Sequence, residues 1–338
     1  MDRSSETCLD ISVFILSYKR PRYLREAVHS VLAQSRKPKS IVILDNGSGE
    51  DVRRVVVDFL EQGVSWEGSD VTHSLLWNTQ RAFDHACSKY VYVMHDDDRL
   101  CPDFLETQVK FLEEHDEAAA VACAAYAIDS RGNRIGRTLQ NGRIDRLNTP
   151  ADHGEAKWYR NGAEAALLYS MGGQPFPSIV YRTSCVKQVR VRSEFGYVFD
   201  VVLMCELADV GAIAYQNDAL FELRLHPGQE SRSITDPLLW KLDDFLILKG
   251  LTSPVLGKTV YRNIRRRETQ RSLSKWIVNV KRSRSVRSLT DSIRLVREPY
   301  FSWQAATAIL MKRFRMRVRD SARRAKYAKR RGAAFATT

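Results

Sequence analysis

The chain has no run of apolar residues long enough to cross a bilayer. Its longest unbroken run, Ala118–Ile128, has eleven residues, against the roughly 20 that a spanning helix needs. That excludes an integral membrane protein of the helical kind. Met1-Asp2-Arg3-Ser4 lacks the apolar stretch of a secretory signal. Cysteine is scarce and scattered: Cys8, Cys87, Cys101, Cys123, Cys185 and Cys205 include no Cys-x-x-Cys pair. This argues against a disulfide framework and against a structural zinc site, and predicts a reducing, cytoplasmic setting. No internal repeat occurs. What is present suits a folded enzyme: 338 residues, 44% hydrophobic and 28% charged, enough for a sizeable core and too apolar for wholesale disorder.

Acidic residues are scarce in the last third. From Trp240 to Thr338 there are 26 Lys+Arg and 6 Asp+Glu, a balance of +20. The preceding 239 residues hold 27 Lys+Arg and 34 Asp+Glu, a balance of −7. The overall +13 therefore describes a mildly acidic body followed by a basic tail. Such tails meet phosphate, on nucleic acid or on an anionic membrane.

Buried-strand runs at Ile11–Ser17, Ile41–Leu44, Tyr90–Met94 and Val121–Ile128 alternate with helical spacing at Arg22–Leu32, Asp51–Gln62, Thr79–Cys87 and Pro102–Glu114. Val71–Leu76 reads as a further strand, Glu155–Ser170 and Phe199–Val210 as helices, and Ala212–Tyr215 as a short strand. The alternation predicts an α/β fold with a parallel sheet flanked by helices on both faces, whose ligands bind at the carboxyl ends of the strands. Arg137–Gly154 and Gly172–Pro177 read as loops. Beyond Pro237 the pattern is almost purely helical, which places a boundary near residue 235.

Two polar clusters fall at strand ends: Asp45-Asn46-Gly47-Ser48 and His95-Asp96-Asp97-Asp98. Three adjacent carboxylates repel one another, and a hard divalent cation relieves that repulsion. Mg²⁺ or Mn²⁺ is the natural occupant, held by one or two carboxylates and phosphate oxygens. The plainer reading is a solvated polar turn.

Over roughly Ile11–Ser231 the sequence resembles the family 2 glycosyltransferases, which have the GT-A fold. The resemblance rests on Ile11-Ser12-Val13-Phe14-Ile15-Leu16-Ser17-Tyr18-Lys19-Arg20, on helix Tyr23–Gln34 closing in Ala33-Gln34-Ser35, on Ile43-Leu44-Asp45-Asn46-Gly47-Ser48, and on Tyr92-Val93-Met94-His95-Asp96-Asp97-Asp98 followed by Pro102. It implies a donor-binding half at about 1–130 and an acceptor half at about 131–235, to which the charge and helical pattern add a basic helical region at 236–338. Ser17, Tyr18, Arg20, Asp45 and Asn46 would then bind the donor, with Tyr18 stacking beside the base and Asp45 bonding base or ribose. Asp96 would hold the ribose, Asp97 and Asp98 the metal, and Asp98 completes an Asp-x-Asp with Asp96. Asn46 stands where a second Asp is common, and His95 where the motif's first Asp often stands.

The resemblance also implies a general base at the start of a helix. Asp200, in Phe199-Asp200-Val201-Val202, falls on that position, with Phe199 replacing the usual preceding acid and Glu194 as fallback. A helix cap is the plainer role for Asp200. Arg224-Leu225-His226-Pro227-Gly228 resembles the closing motif, so His226 would reach the metal or diphosphate, with Arg232, Ser231 or, less directly, Arg224 on the diphosphate. Gln174 and Ser178 would border the acceptor.

Together these imply an inverting, metal-dependent glycosyltransferase using a nucleotide sugar, with a glycan or lipid-linked acceptor, in bacterial surface polysaccharide or lipopolysaccharide synthesis. The alternative is a non-catalytic nucleotide-sugar or glycan-binding relative. Retaining chemistry would need a carboxylate nucleophile near the sugar carbon, for which the sequence offers no separate candidate. The basic tail, with Trp276, Tyr300, Phe301, Trp303 and Phe314 beside its cations, reads as an anionic-membrane surface, making the protein peripheral on the inner face of the cell membrane. A solvated face or a homodimer contact are the other readings. Nucleic acid is not expected, since no nucleic-acid motif accompanies the charge.

Overall fold

The structure is a computed structural model that describes residues 8–138, 144–145, 155–171, 178–229, 234–283, 302, 304 and 306–307. The chain divides into two compact units, residues 1–260 and 261–338.

Among the described residues the first unit is built on an eleven-stranded mixed sheet. Strands β1 (Leu9–Ser17), β2 (Pro38–Asp45), β3 (Val64–Gly68) and β4 (Tyr90–His95) run parallel in the order β3-β2-β1-β4. Helices α1 (Pro21–Leu32), α2 (Glu50–Leu60) and α3 (Leu75–His85) connect them. β1 and β4 are nearly all buried because helices cover the sheet, which is why they read as continuous apolar runs. The chain steps outward from β1 to β3 and then crosses back to β4. The β1/β4 boundary is thus a topological switch, where open α/β sheets bind ligands beyond the strand ends.

The sheet continues through β10 (Ile179–Arg182), which is antiparallel to both β4 and β6 (Ala118–Ile128). β11 (Ala212–Arg224) runs parallel to β6, and β5 (Arg99–Leu100) caps the far edge of β11. β7 (Arg134–Thr138) pairs with β6 and β8 (Ile144–Asp145), and β9 (Lys157–Tyr159) pairs with β11. Helix α4 (Phe104–Glu114) is tied to the end of α1 by buried Gln34. Its side-chain amide donates to the Cys101 carbonyl (2.7 Å) and accepts from the Leu105 N–H (2.9 Å). The Ala33-Gln34-Ser35 sequence closing α1 is therefore a joint between two helices.

Helices α5 (Gly162–Met171), the short α6 (Thr183–Val186) and α7 (Phe199–Leu207) complete the sheet's flank. Helix α8 (Asp236–Gly250) lies beyond residue 235 and packs on α5, α7 and the 3-10 turn Ser193–Val198 within the first unit. Helix α9 (Gly257–Ser283) follows. Among the described residues no helix is long and apolar enough to cross a membrane.

Three local expectations differ from the structure. The third strand is Val64–Gly68, while Val71 is 59% exposed and Ser74 caps α3, its hydroxyl accepting from the Trp77 N–H. Leu75 and Leu76 thus open a helix. Residues 157–159 pair with β11 as a strand before α5 begins, because Trp158 packs against Phe111 and His115. The strand read at Ala212–Tyr215 extends to Arg224, carried along β6 through register shifts that its polar middle, Gln216-Asn217-Asp218, does not advertise. The 172–177 loop, most of the 137–154 loop and nearly all of the tail beyond 283 lie outside the described residues.

Candidate functional site

β1, β2 and β4 all end at one rim, and their next residues supply the site. Ser17 lies opposite Asp45, and Leu16 opposite His95. The Asp96 N–H donates to the Leu16 carbonyl (3.1 Å) and the Asn46 N–H to the Ser17 carbonyl (3.0 Å), so the three turns leave the sheet as a unit. Ser17 is buried, and its Oγ meets no hydrogen-bond partner among the described residues.

The three aspartates have three different environments. Asp96 accepts from the Tyr18 N–H (2.8 Å) and from Arg20 Nη1 (2.9 Å). It thereby fixes the β1 loop, in which Lys19 sits at φ +54° with its ammonium over the Tyr18 ring. Asp97 accepts from His226 Nε2 (2.8 Å) and lies 3.3 Å from Arg20. The Gly228 N–H donates to His226 Nδ1 (3.2 Å), which leaves the ring proton on Nε2, aimed at Asp97. Asp98 accepts from the Arg224 N–H (2.8 Å).

Their charges follow. Burial pushes Asp96 up to about 7, with Arg20 opposing and Asp97 reinforcing. Burial and the neighbouring Asp97 drive Asp98 well above the usual carboxylate range. For Asp97, burial pushes up, but His95, Arg20 and His226 outweigh it and hold the carboxyl low.

His95, Asp97 and Asp98 bring one ligand atom each to within 4.8 Å of one another. Two oxygens and an imidazole nitrogen, one of the oxygens from a carboxyl whose proton affinity burial and Asp97 raise against the opposing Arg224, fit a divalent cation, whose charge would lower that affinity. The sequence reading gave the metal to Asp97, Asp98 and His226. The structure sets His95 beside the two aspartates and holds His226 Nε2 against Asp97 as a hydrogen-bond donor. The sequence reading gives His95 no metal role because it stands where the resembled motif carries an acid.

Arg224 is fully buried, and it is the scaffold beneath the turn. Its Nε donates to the Asp97 carbonyl (2.7 Å), Nη1 to the Asp129 carbonyl (3.3 Å) and Nη2 to Glu26 (2.6 Å), and its guanidinium lies over the Tyr23 ring. The diphosphate role considered for Arg224 is therefore set aside: its donors are already engaged by protein. Nothing in the local sequence distinguishes it from a surface arginine.

At the β2 turn, Asp45 accepts from the Ser48 N–H (3.2 Å) and hydroxyl. Asn46 uses both ends of its amide on one residue: Nδ2 donates to the His73 carbonyl (2.9 Å) and Oδ1 accepts from the His73 N–H (2.8 Å). Gly47, at φ +72°, lets the 71–72 backbone approach to 3.1 Å of where a Cβ would stand. The departure from the resembled Asp-Asp-Gly-Ser is thus a two-point clip that an aspartate, which only accepts, does not make. The clipped segment carries the His73–Trp77 stack, 3.9 Å between centroids.

Asp200 occupies the first turn of α7 and accepts from the Val201 N–H (2.9 Å). It keeps some solvent contact, yet enough protein surrounds it that desolvation raises it to about 6, with the backbone N–H groups opposing. Its charge is felt at Tyr169 on α5 and Tyr181 on β10. Phe199 is buried in the core. Glu194, the fallback, is held low by its backbone hydrogen bond and by Arg192. Ser178 is buried just before β10, its carbonyl accepting from Gln108 (3.5 Å). Gln174, Ser231 and Arg232 lie outside the described residues.

The family model described as Glycosyl transferase family 2 matches residues 12–182, just over half of the chain. A glucosyl-dolichyl phosphate glucuronosyltransferase of Haloferax volcanii is 30% identical over 116 residues, which are 33% of this chain and 37% of that protein. The putative glycosyltransferase EpsE of Bacillus subtilis is 27% identical over 150 residues, 43% of this chain and 54% of its own length. The matches thus span about half or less of these two relatives. A putative teichuronic acid biosynthesis glycosyltransferase of Bacillus subtilis, TuaG, is 30% identical over 35% of this chain and 47% of its own. The crystal structure of S. aureus TarS in complex with UDP-GlcNAc superposes with a TM-score of 0.58 at 14% identity, covering 84% of this chain and 79% of that one. It shares the fold.

Proposed function

Because this chain belongs to glycosyl transferase family 2, we propose that it moves a sugar from a nucleotide-sugar donor to a glycan or lipid-linked acceptor, with inversion, in bacterial surface polysaccharide or lipopolysaccharide synthesis. The observation that carries this reading is the rim at the β1/β4 switch, where Tyr18, Arg20, Asp45, the three aspartates and His226 converge. The UDP-GlcNAc bound by TarS supports a nucleotide-sugar donor. The names of the Haloferax and TuaG relatives support a lipid-linked or polymeric acceptor.

In this reading Tyr18 stacks beside the base, Asp45 bonds base or ribose, and Ser17 offers its buried hydroxyl. Asp96 holds the β1 loop in shape and borders the ribose. Arg20 and Arg232 face the diphosphate. His95, Asp97 and Asp98 would hold Mn²⁺ or Mg²⁺, with His226 bonded to Asp97. The cation supplies charge neutralisation of the departing diphosphate. Asp200 takes the proton of the acceptor hydroxyl as that oxygen forms its bond to the anomeric carbon. The bond from that carbon to the diphosphate oxygen breaks on the opposite face, and the nucleoside diphosphate leaves with the electron pair. Gln174 and Ser178 border the acceptor. The +20 tail draws the protein to an anionic bilayer, at the inner face of the cell membrane, where a lipid-carried acceptor lies.

Nucleoside diphosphate release is to be measured across UDP-, GDP-, CDP- and dTDP-sugars, with and without Mn²⁺, for the parent and for Asp97→Ala. The parent should release product only with metal, and Asp97→Ala should lose at least about 100-fold, the several kcal/mol typical of charge stabilisation at a leaving group. No release by the parent with any donor, with or without acceptor lipid, would favour the non-catalytic binding relative. The departures at Asn46 and Phe199 do not favour it, because one is a loop clip and the other a core residue.

A further inference from the structure

The buried side of α8 is already covered. Leu242 and Leu246 are in the core, and Phe245 meets Phe195 edge-on at 5.4 Å. Three other large apolar side chains of the same segment are nevertheless in water: Leu248 is 68% exposed, Leu251 60% and Val255 81%. They lie at and around the turn joining α8 to α9, with Pro254 also exposed. The turn is ordered by its own backbone. Leu251 N–H donates to Ile247 O (2.9 Å), Ser253 N–H to Gly250 O (3.1 Å) and Gly257 N–H to Ser253 O (3.0 Å). The two arms cross closely at glycines: a Cβ at Gly250 would stand 2.9 Å from Val260, and one at Gly257 would stand 3.2 Å from the Gly250 carbonyl. A rigid tip thus presents apolar side chains whose exposure the core does not require.

Its surroundings in sequence are of one sign. From Phe245 to Arg267 there are six basic residues, Lys249, Lys258, Arg262, Arg265, Arg266 and Arg267, and no acidic one. Lys249 is paired with Asp209, while Lys258, Arg262 and Arg266 are exposed. Apolar side chains within a cationic segment match an anionic lipid surface, where the charges meet headgroups and the apolar groups enter the acyl boundary. The same charge disfavours the other occupants. The chain beyond residue 283 is itself strongly basic, and a second copy would set like charges against like.

We propose that the α8–α9 turn, Leu248 to Lys258, is the point at which this protein inserts into an anionic bilayer, with Leu251 and Val255 entering below the headgroups. This rests on the peripheral-membrane reading above and adds a site to it, in the folded first unit rather than in the tail.

The test uses the full chain and vesicles of phosphatidylcholine alone or mixed with phosphatidylglycerol. Val255→Trp should gain emission, over the parent's own tryptophans, that brominated lipids quench in mixed vesicles and not in phosphatidylcholine alone. Leu251→Asp/Val255→Asp should lower co-sedimentation with mixed vesicles by roughly tenfold or more, with an unchanged melting temperature because both side chains are exposed. If the parent binds mixed vesicles while the tryptophan is unquenched and the double variant binds as well as the parent, the tip proposal is overturned and the membrane reading stands. If the parent does not bind mixed vesicles even at low salt, the membrane reading falls and the tip with it. A parent dimer that the double variant dissociates would give the tip to a second copy, which also overturns the proposal.

Discussion

Asp200 shows how a side chain suited to catalysis costs the fold stability. Burial raises its carboxyl to about 6, so the folded chain holds this proton more tightly than the unfolded one. Stability then falls as pH rises from about 4, the unfolded value, through about 6, and the ionised form at neutral pH is a net cost. Asp200→Asn keeps the contour and the Val201 contact without the charge. It should be more stable than the parent at pH 7.5, by an unfolding free energy capped at about 3 kcal/mol and trimmed by residual solvent contact, and the gap should close below about pH 4. Turnover should run the other way. In the parent kcat/KM rises with pH through about 6, as a base must be unprotonated to work, and Asp200→Asn should show no such limb and almost no turnover. Calorimetry and a pH–rate profile read the two halves. At Asn46 the amide clip leads to a different expectation. Asn46→Asp keeps the acceptor but sets a carboxylate oxygen against the His73 carbonyl, and should cost about 1–3 kcal/mol in urea unfolding.

At the scale of elements, β11, paired with β6 up to its last residue, ends beneath the site. Its last residue, Arg224, joins Asp97, Asp129 and Glu26 from three other segments, while Glu222 on the same strand holds Arg99 and Arg134. A lysine at 224 carries the charge but not the planar fork that bonds several partners at once. Arg224→Lys should fold with a lower melting point. Its Mn²⁺-dependent rise in melting temperature should be smaller than the parent's, because the Asp97 backbone is no longer fixed. A purely structural role would lower both melting points and leave that rise intact. The elements also show what sequence patterns convey. β1, β2 and β4 were legible because burial writes them as apolar runs. β9 was not, because its three residues are a strand only through pairing with β11. The third strand was misplaced because exposed Val71 and helix-opening Leu75-Leu76 imitate an apolar run.

For the whole molecule the governing feature is charge separation: −7 over the first 239 residues and +20 over the rest. Forces between exposed charges are screened beyond about 10 Å at 0.1 M salt. Binding of the full chain to phosphatidylglycerol-containing vesicles should therefore weaken steeply as salt rises from about 0.05 M to about 0.5 M. Catalysis at the buried rim should change far less over that range, with donor turnover as the readout. A vesicle affinity indifferent to salt would place the attraction in apolar contact alone.

The sequence by itself determined the parallel strands β1, β2 and β4, the polar turns that end them, and the segregation of charge. Each of these is local, written by burial, turn chemistry or composition within a short stretch. Only the tertiary structure decided how three consecutive aspartates differ. Asp96 is taken by the β1 loop 78 residues away, Asp97 by His226 at 129, and Asp98 by the Arg224 N–H at 126. Identical side chains acquire different proton affinities from what the fold brings against them, and those partners come from segments that no local pattern joins.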